Sequence, residues 1–204
     1  MEAESAYRWL MEAGAASARD SFDLHVVASI LAISIADAKA RCSSLALTSG
    51  LDGGALERLA GELFPAAAAA LSEMAGNAEP QPEIEEISVI EILTACAGGS
   101  SDLVSPLAAL VARRCLEPRH LWQDLGLRNR GELSRLMTRH FPDIKARNSG
   151  DMKWKKFLYR MVCAAEGFLL CPAPVCSECD DFVGCFGDEE GVAQLSHANC
   201  EDRL

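Results

Sequence analysis

Residues 20–40, DSFDLHVVASILAISIADAKA, decide the fold class. Asp20 and Ser21 are both competent N-caps, because their side-chain oxygens can accept the N–H groups that the first turn of a helix leaves without partners. Behind them Phe22, Val26, Ile30 and Ile33 recur at three- and four-residue spacing, which places them on one face of an α-helix. Strict alternation, the mark of a half-buried strand, is absent from this stretch.

Working outward, the same grammar repeats. GLDGG at 50–54 reads as a breaker. A second helix is expected over 55–74 through Leu56, Leu59, Leu63 and Leu71, with Pro65 kinking or splitting it. NAEPQP at 77–82 has the composition of a linker. Residues 83–96 place Val89, Ile92, Leu93 and Cys96 on one helical face, with the β-branched isoleucines leaving a strand as the alternative, and AGGSSD at 97–102 reads as a loop. Ser105 is expected to cap a helix with Pro106 at its first position, burying Leu107, Leu110 and Val111. Asn129 and Glu132 predict a capping box for a helix through Leu133, Leu136, Met137 and His140, ended by Phe141-Pro142. Asp151 is expected to open a last helix whose apolar face carries Trp154, Phe157, Leu158, Met161 and Ala165, with Gly167 as its stop. The expectation is a mostly α protein: a compact helical domain over 1–167, with a possible linker near 77–82, then an irregular cysteine-rich, metal-binding loop and acidic tail over 168–204.

Composition bounds the function. The chain has 204 residues, 50% of them hydrophobic and 24% charged, which suits a packed core and excludes wholesale disorder. A net charge of -11 argues against a protein that works by coating nucleic acid. That charge is unevenly spread: residues 113–160 carry 13 basic and 5 acidic side chains, whereas the segments on either side are acidic. The N-terminus lacks the basic and apolar regions of a secretory signal. The longest apolar run, 26–36, falls short of the roughly 20 residues of a membrane span. A cytoplasmic protein without membrane or nucleic-acid partners is the expectation, and in a reducing compartment clustered cysteines point to metal or redox chemistry.

Nine cysteines are present. Cys171, Cys176, Cys179 and Cys185 follow C-x4-C-x2-C-x5-C, and the first three share the spacing of plant-type ferredoxins. Thiolates bind soft and borderline metals, and Pro172, Pro174 and Gly184 suit a loop wrapped around an inorganic core. The competing reading is a four-cysteine zinc staple, although only Cys176 and Cys179 form the close pair such sites favour. Cys96, Cys115 and Cys163 read as buried hydrophobes, and Cys42 and Cys200 lie apart from the motif. Glu178, Asp180, Asp181, Asp188, Glu189 and Glu190 crowd the cluster. They would lower a reduction potential, or simply solvate an acidic tail.

In the basic segment, Lys153, Lys155, Lys156, Arg160 and His120 are candidates for holding a compact inorganic oxyanion, helped by the helix N-terminus opening near Asp151. His140 is a second candidate donor. The plainer readings are a solvated lysine face and histidines satisfied at the edge of the core. No nucleotide-binding glycine loop and no recognisable triad is present, so a carrier is expected in preference to a turnover enzyme.

Three ordered blocks, RHLWQDLGLRNRGELSRLMTRHFP at 119–142, DMKWKKFLYR at 151–160 and EGFLLCPAPVCSECDDFVGCFGDEE at 166–190, resemble the NifQ family of nitrogen-fixation proteins. The N-terminal half is similar only loosely, through Phe22-Asp23-Leu24-His25. The resemblance implies a protein that carries an iron–sulfur cluster also holding molybdenum, and donates molybdenum for assembly of the nitrogenase iron–molybdenum cofactor. It implies Cys171, Cys176, Cys179 and Cys185 as cluster ligands, molybdate as the incoming species, and the NifE–NifN scaffold complex and NifH as recipients. Three thiolates suit a three-iron core with a fourth corner open to molybdenum, and a basic antechamber of Lys153, Lys155, Lys156, Arg160 or His120 would concentrate the molybdate dianion. An electron-transfer iron–sulfur protein and a zinc-stapled helical interaction module stand as the alternatives.

Overall fold

The computed structural model describes residues 1–99, 101–165, 167, 182–186 and 188–195, of 182 and 183 the backbone alone. Helix α2 (Ser21–Ala40) is its axis. The Asp20 carboxylate caps it, accepting the Phe22 N–H at 2.9 Å and the Asp23 N–H at 3.4 Å. Phe22, Val26, Ile30 and Ile33 are buried as expected, but so are Val27, Ala28, Ser29, Leu31, Ala32 and Ser34 around the rest of the circumference. The single apolar face is therefore a partial description. Alanines and serines on the other faces are small enough for neighbouring helices to approach, and the Ser34 hydroxyl is satisfied within the helix by the Ile30 carbonyl at 2.9 Å. By length and composition Ser21–Ala40 is long and apolar enough to cross a membrane, longer than the 26–36 run suggested, yet 83% of that window is buried inside the protein.

Around α2 the chain lays down short helices. α1 (Ala3–Ala13), not foreseen in the sequence, packs Ala6, Leu10 and Ala13 against it. α3 (Leu45–Ser49) is capped by Ser44 and stopped at Gly50, whose φ of 77° is left-handed. The 50–54 breaker lies partly inside α4 (Gly53–Leu63), because the Asp52 carboxylate accepts the Ala55 N–H at 2.7 Å and starts the helix through both glycines. Pro65 splits the expected 55–74 helix into α4, a 3₁₀ turn (Pro65–Ala67) and α5 (Ala68–Ala75), having no N–H to continue the ladder. Non-helical chain from 78 to 83 leads to α6 (Ile84–Ala95), with Glu83 and Glu86 forming its capping box.

α7 (Val104–Cys115) starts before Ser105, so Pro106 sits in its first turn but not at its first position; Leu107, Leu110 and Val111 are buried. α8 (Leu121–Asp124) is a single unforeseen turn. α9 (Arg130–His140) is capped by Asn129, which accepts the Glu132 N–H at 3.1 Å, and Phe141-Pro142 ends it by starting α10 (Pro142–Arg147). α11 (Trp154–Ala165) begins three residues after Asp151, whose φ of 52° is left-handed and outside the helix. Trp154, Phe157, Leu158 and Val162 form its buried face; Met161 is half-buried and Ala165 exposed. Gly167, at φ 80°, follows its end. Within the segment read as irregular, α12 (Phe182–Phe186) is a short helix. Among the described residues there is no strand, and one continuous core runs from Ala6 to Leu195.

Candidate functional site

Two adjacent features converge: the single turn α8 and the first turn of α11. Leu121 and Trp122 anchor α8 in the core, and the Gln123 side chain accepts the His120 N–H at 3.3 Å, fixing the entry to the turn. Asp124 closes it and is fully buried. Its carboxylate accepts a hydrogen bond from the Lys155 ammonium, which also donates to the Glu117 carbonyl, each at 2.5 Å. The Arg114 guanidinium donates to the Asp124 carbonyl and to the Asp37 carboxylate, both at 2.7 Å. Helices α2, α7, α8 and α11 are thereby held together through one buried charged network.

That network leaves a cavity of about 190 Å³ between α8 and the start of α11. Its walls are Arg119, His120, Leu121, Lys153, Lys155, Lys156, Gly184 and Glu189. Four of the five candidate oxyanion residues therefore share one pocket. Arg160 is exposed two turns along α11 and does not line it. Lys155 lines it, but its ammonium is engaged with Asp124 and Glu117. His120 Nδ1 lies 3.8 Å from the Glu189 carboxylate, and Arg130 approaches the same carboxylate oxygen at 3.9 Å. Arg119 and Glu189 belong to this site, although nothing in their spacing singled them out from the surrounding run of charges.

The pocket adjoins the cysteine segment. Gly184 is one of its walls, and the Lys153 N–H donates to the carbonyl of the next residue, Cys185, at 2.8 Å. Cys185 is half-buried on α12. Cys171, Cys176 and Cys179 lie outside the described residues, as does Cys200. Among the described residues no three His, Cys, Asp or Glu side chains gather as a metal site. Cys96 and Cys115 are buried and Cys163 half-buried, matching their reading as packing residues; burial pushes the Cys115 thiol up to about 12. Cys42 is exposed.

Elsewhere several residues of the basic segment pair with acids from the N-terminal half, and one of its own acids, Glu132, reaches back to His25. Arg113 approaches the buried Glu86 at 2.8 Å, without hydrogen-bond alignment. Burial pushes the Glu86 carboxyl up despite that cation. Arg139 and His140 both bind Asp23, at 2.8 Å and 3.0 Å. Burial acts to raise the Asp23 carboxyl, but these two partners hold it below its ordinary value. Glu132 is likewise lowered: burial opposes ionisation, and contacts from His25 and the Arg128 N–H outweigh it. The Glu132 side chain thus serves His25 and Arg128 in place of the expected return to Asn129. His140 is a buried, satisfied histidine.

The NifQ family model matches residues 26–187. The chain belongs to the NifQ family, a nitrogen-fixation family. It is 37% identical over 172 residues to the protein NifQ homolog of Sinorhizobium fredii (strain NBRC 101917 / NGR234), covering 83% of this chain and 74% of that protein. It is 34% identical over 162 residues to the protein NifQ of Rhodobacter capsulatus, covering 78% and 87% respectively. With the protein NifQ of Azotobacter vinelandii it shares 42% identity over 83 residues, 41% of this chain and 43% of that one. No solved structure matches. The match to the NifQ model includes the pocket-lining residues from Arg119 to Gly184 and all four motif cysteines.

Proposed function

We propose that this NifQ-family protein is a cytoplasmic molybdenum–iron–sulfur carrier that donates molybdenum for assembly of the nitrogenase iron–molybdenum cofactor. The observation that supports it most is a junction: the basic pocket shares the Gly184 wall with α12, and its Lys153 backbone holds the carbonyl of Cys185. An anion received there lies beside the segment whose four thiolates would hold the cluster. The donor chemistry fits, since cysteine thiolates are the ordinary ligands of iron–sulfur centres. A cluster of three-iron type would leave a corner for molybdenum.

In this reading Cys171, Cys176, Cys179 and Cys185 hold the cluster. His120, Arg119, Lys153 and Lys156 receive molybdate, a tetrahedral dianion suited to a few convergent cations. Lys155 is a positioning residue, because its ammonium ties the first turn of α11 to Asp124 and Glu117. Arg160 stands outside the pocket, where its charge adds to the field that draws the anion in. The protein turns nothing over; it hands its cargo to the NifE–NifN complex and NifH.

Elemental analysis of protein purified anaerobically from molybdate-replete cells with cluster-assembly machinery tests this. Iron, acid-labile sulfide and molybdenum together are expected. Iron and sulfide without molybdenum would replace the carrier with an electron-transfer protein, and one zinc per chain without sulfide would replace it with a zinc-stapled module. Cys176→Ser or Cys179→Ser should abolish the cluster while Cys42→Ser retains it; the reverse pattern overturns the ligand assignment.

A further inference from the structure

Glu189 is a negative side chain buried in a pocket otherwise rich in cations. It is only 3% exposed, and its Oε1 lies 3.8 Å from His120 Nδ1 and 3.9 Å from Arg130 Nη1. Those separations are ion-pair distances, too long for hydrogen bonds. Its Oε2 is buried with no hydrogen-bond partner among the described residues. Buried carboxylates are ordinarily well bonded, since burial without partners is costly. Glu189 is in the right place for an anion and poorly bonded there.

The chain that follows explains how it is kept there. Gly191 lies so close to Gln123 that an added Cβ would come within 2.3 Å of Nε2. The Gln123 amide donates to the Val192 carbonyl at 3.0 Å, and Gln194 donates back to the Gln123 carbonyl at 2.8 Å. Leu195 is buried against Gly126, whose φ of 70° and close neighbours admit no side chain. Residues 191–195 are thus strapped across α8, while Glu189 meets the pocket through charge.

We propose that Glu189 is a built-in occupant of the oxyanion site, held by the strap against His120, one of the groups a tetrahedral oxyanion would use, with Arg130 behind it, and expelled when that anion binds. The choice of molybdate as the anion rests on the function proposed above; the geometry asks only for a tetrahedral oxyanion. A dianion with four acceptor oxygens can reach His120, Arg119 and Lys156 together, which one misaligned carboxylate does not. Because Glu189 follows Cys185 by four residues, its exchange also moves the chain leading from the last motif cysteine, so that an occupied pocket is communicated to the cysteine segment.

Calorimetric titration of the full chain with molybdate, tungstate, sulfate and phosphate tests this, comparing wild type with Glu189→Gln. Removing the competing charge should tighten anion binding about tenfold. Gly191→Ala, which keeps the carboxylate and loosens its anchor, should tighten binding in the same direction. A wild type that binds molybdate with neither variant tighter overturns the competitor and leaves the molybdate reading intact. Both variants tighter, but for sulfate and phosphate as much as for molybdate, supports the competitor and removes molybdate selectivity. No uptake of any of the four anions by Glu189→Gln overturns the inference.

Discussion

The seam between α2 and α9 and the pocket between α8 and α11 are built from the same residue types, with opposite outcomes. In the seam the acids are taken by close partners: Asp23 holds Arg139 and His140, and Glu132 holds His25. In the pocket Asp124 takes Lys155, while Arg119, His120 and Lys156 line a cavity whose one carboxylate among the described residues, besides Asp124 behind it, is Glu189. A basic run in a sequence is therefore two things at once. One part is folding chemistry that ties the basic segment to the acidic N-terminal half, and the other is a residue of positive potential available to a ligand.

The sharpest way to break this division is to remove Asp124. Asp124→Ala would leave the Lys155 ammonium half-buried without its carboxylate, bonded only to the Glu117 carbonyl, and would untie α8 from α11. Breaking a buried pair by removing one partner costs about 3–5 kcal/mol. Urea denaturation should show a loss of that order, and on the proposed carrier function iron and molybdenum should fall together in the purified protein. A loss under about 1 kcal/mol would place Lys155 among ordinary surface pairs.

A smaller effect is expected in the seam. Asp23→Asn keeps the shape but weakens two charge-assisted contacts, at a cost of about 2 kcal/mol near neutral pH. The pH dependence carries the sign. Asp23 titrates below its ordinary value in the folded chain, so the unfolded chain binds its proton first as pH falls. Its contribution is fully present above the ordinary aspartate range, about pH 4, and is lost as pH drops through the lowered folded value. Stability measured from pH 5 to pH 2 should fall less steeply in Asp23→Asn than in wild type; parallel curves would remove Asp23 as the source.

How much of this was legible depends on range. The capping of α2 by Asp20, the break at Pro65, the Asn129 cap and the Phe141-Pro142 stop are local chemistry within a few residues, and periodicity found them. α1 was missed although Ala6, Leu10 and Ala13 sit at helical spacing, because small alanines give a faint pattern. The candidate lysines and His120 were legible as a cationic set, and the fold brings His120 within one pocket with side chains more than thirty residues away in sequence. What the sequence could not reveal was which cations are matched. Lys155 and Lys156 are adjacent, yet one faces buried Asp124 and the other is exposed at the cavity, a distinction made by α8, seen only in three dimensions. Glu189 was legible only as one acid in a tail.

That adjacent pair gives the finest test of the comparison. Lys156 is exposed, lines the pocket and has no ion pair among the described residues. Lys156→Gln should change unfolding free energy by no more than about 0.5 kcal/mol, as surface substitutions ordinarily do. On the proposed carrier function its effect should appear as less molybdenum per chain at unchanged iron and sulfide, with the affinity for molybdate several-fold weaker. Lys155→Gln should do the converse, lowering stability and depressing both metals together. Measured side by side, the two variants separate a lysine that builds the pocket from one that serves it. Equal loss of both metals in both variants would mean that the first turn of α11 acts only as scaffold, and that the anion is drawn in by Arg119 and His120 alone.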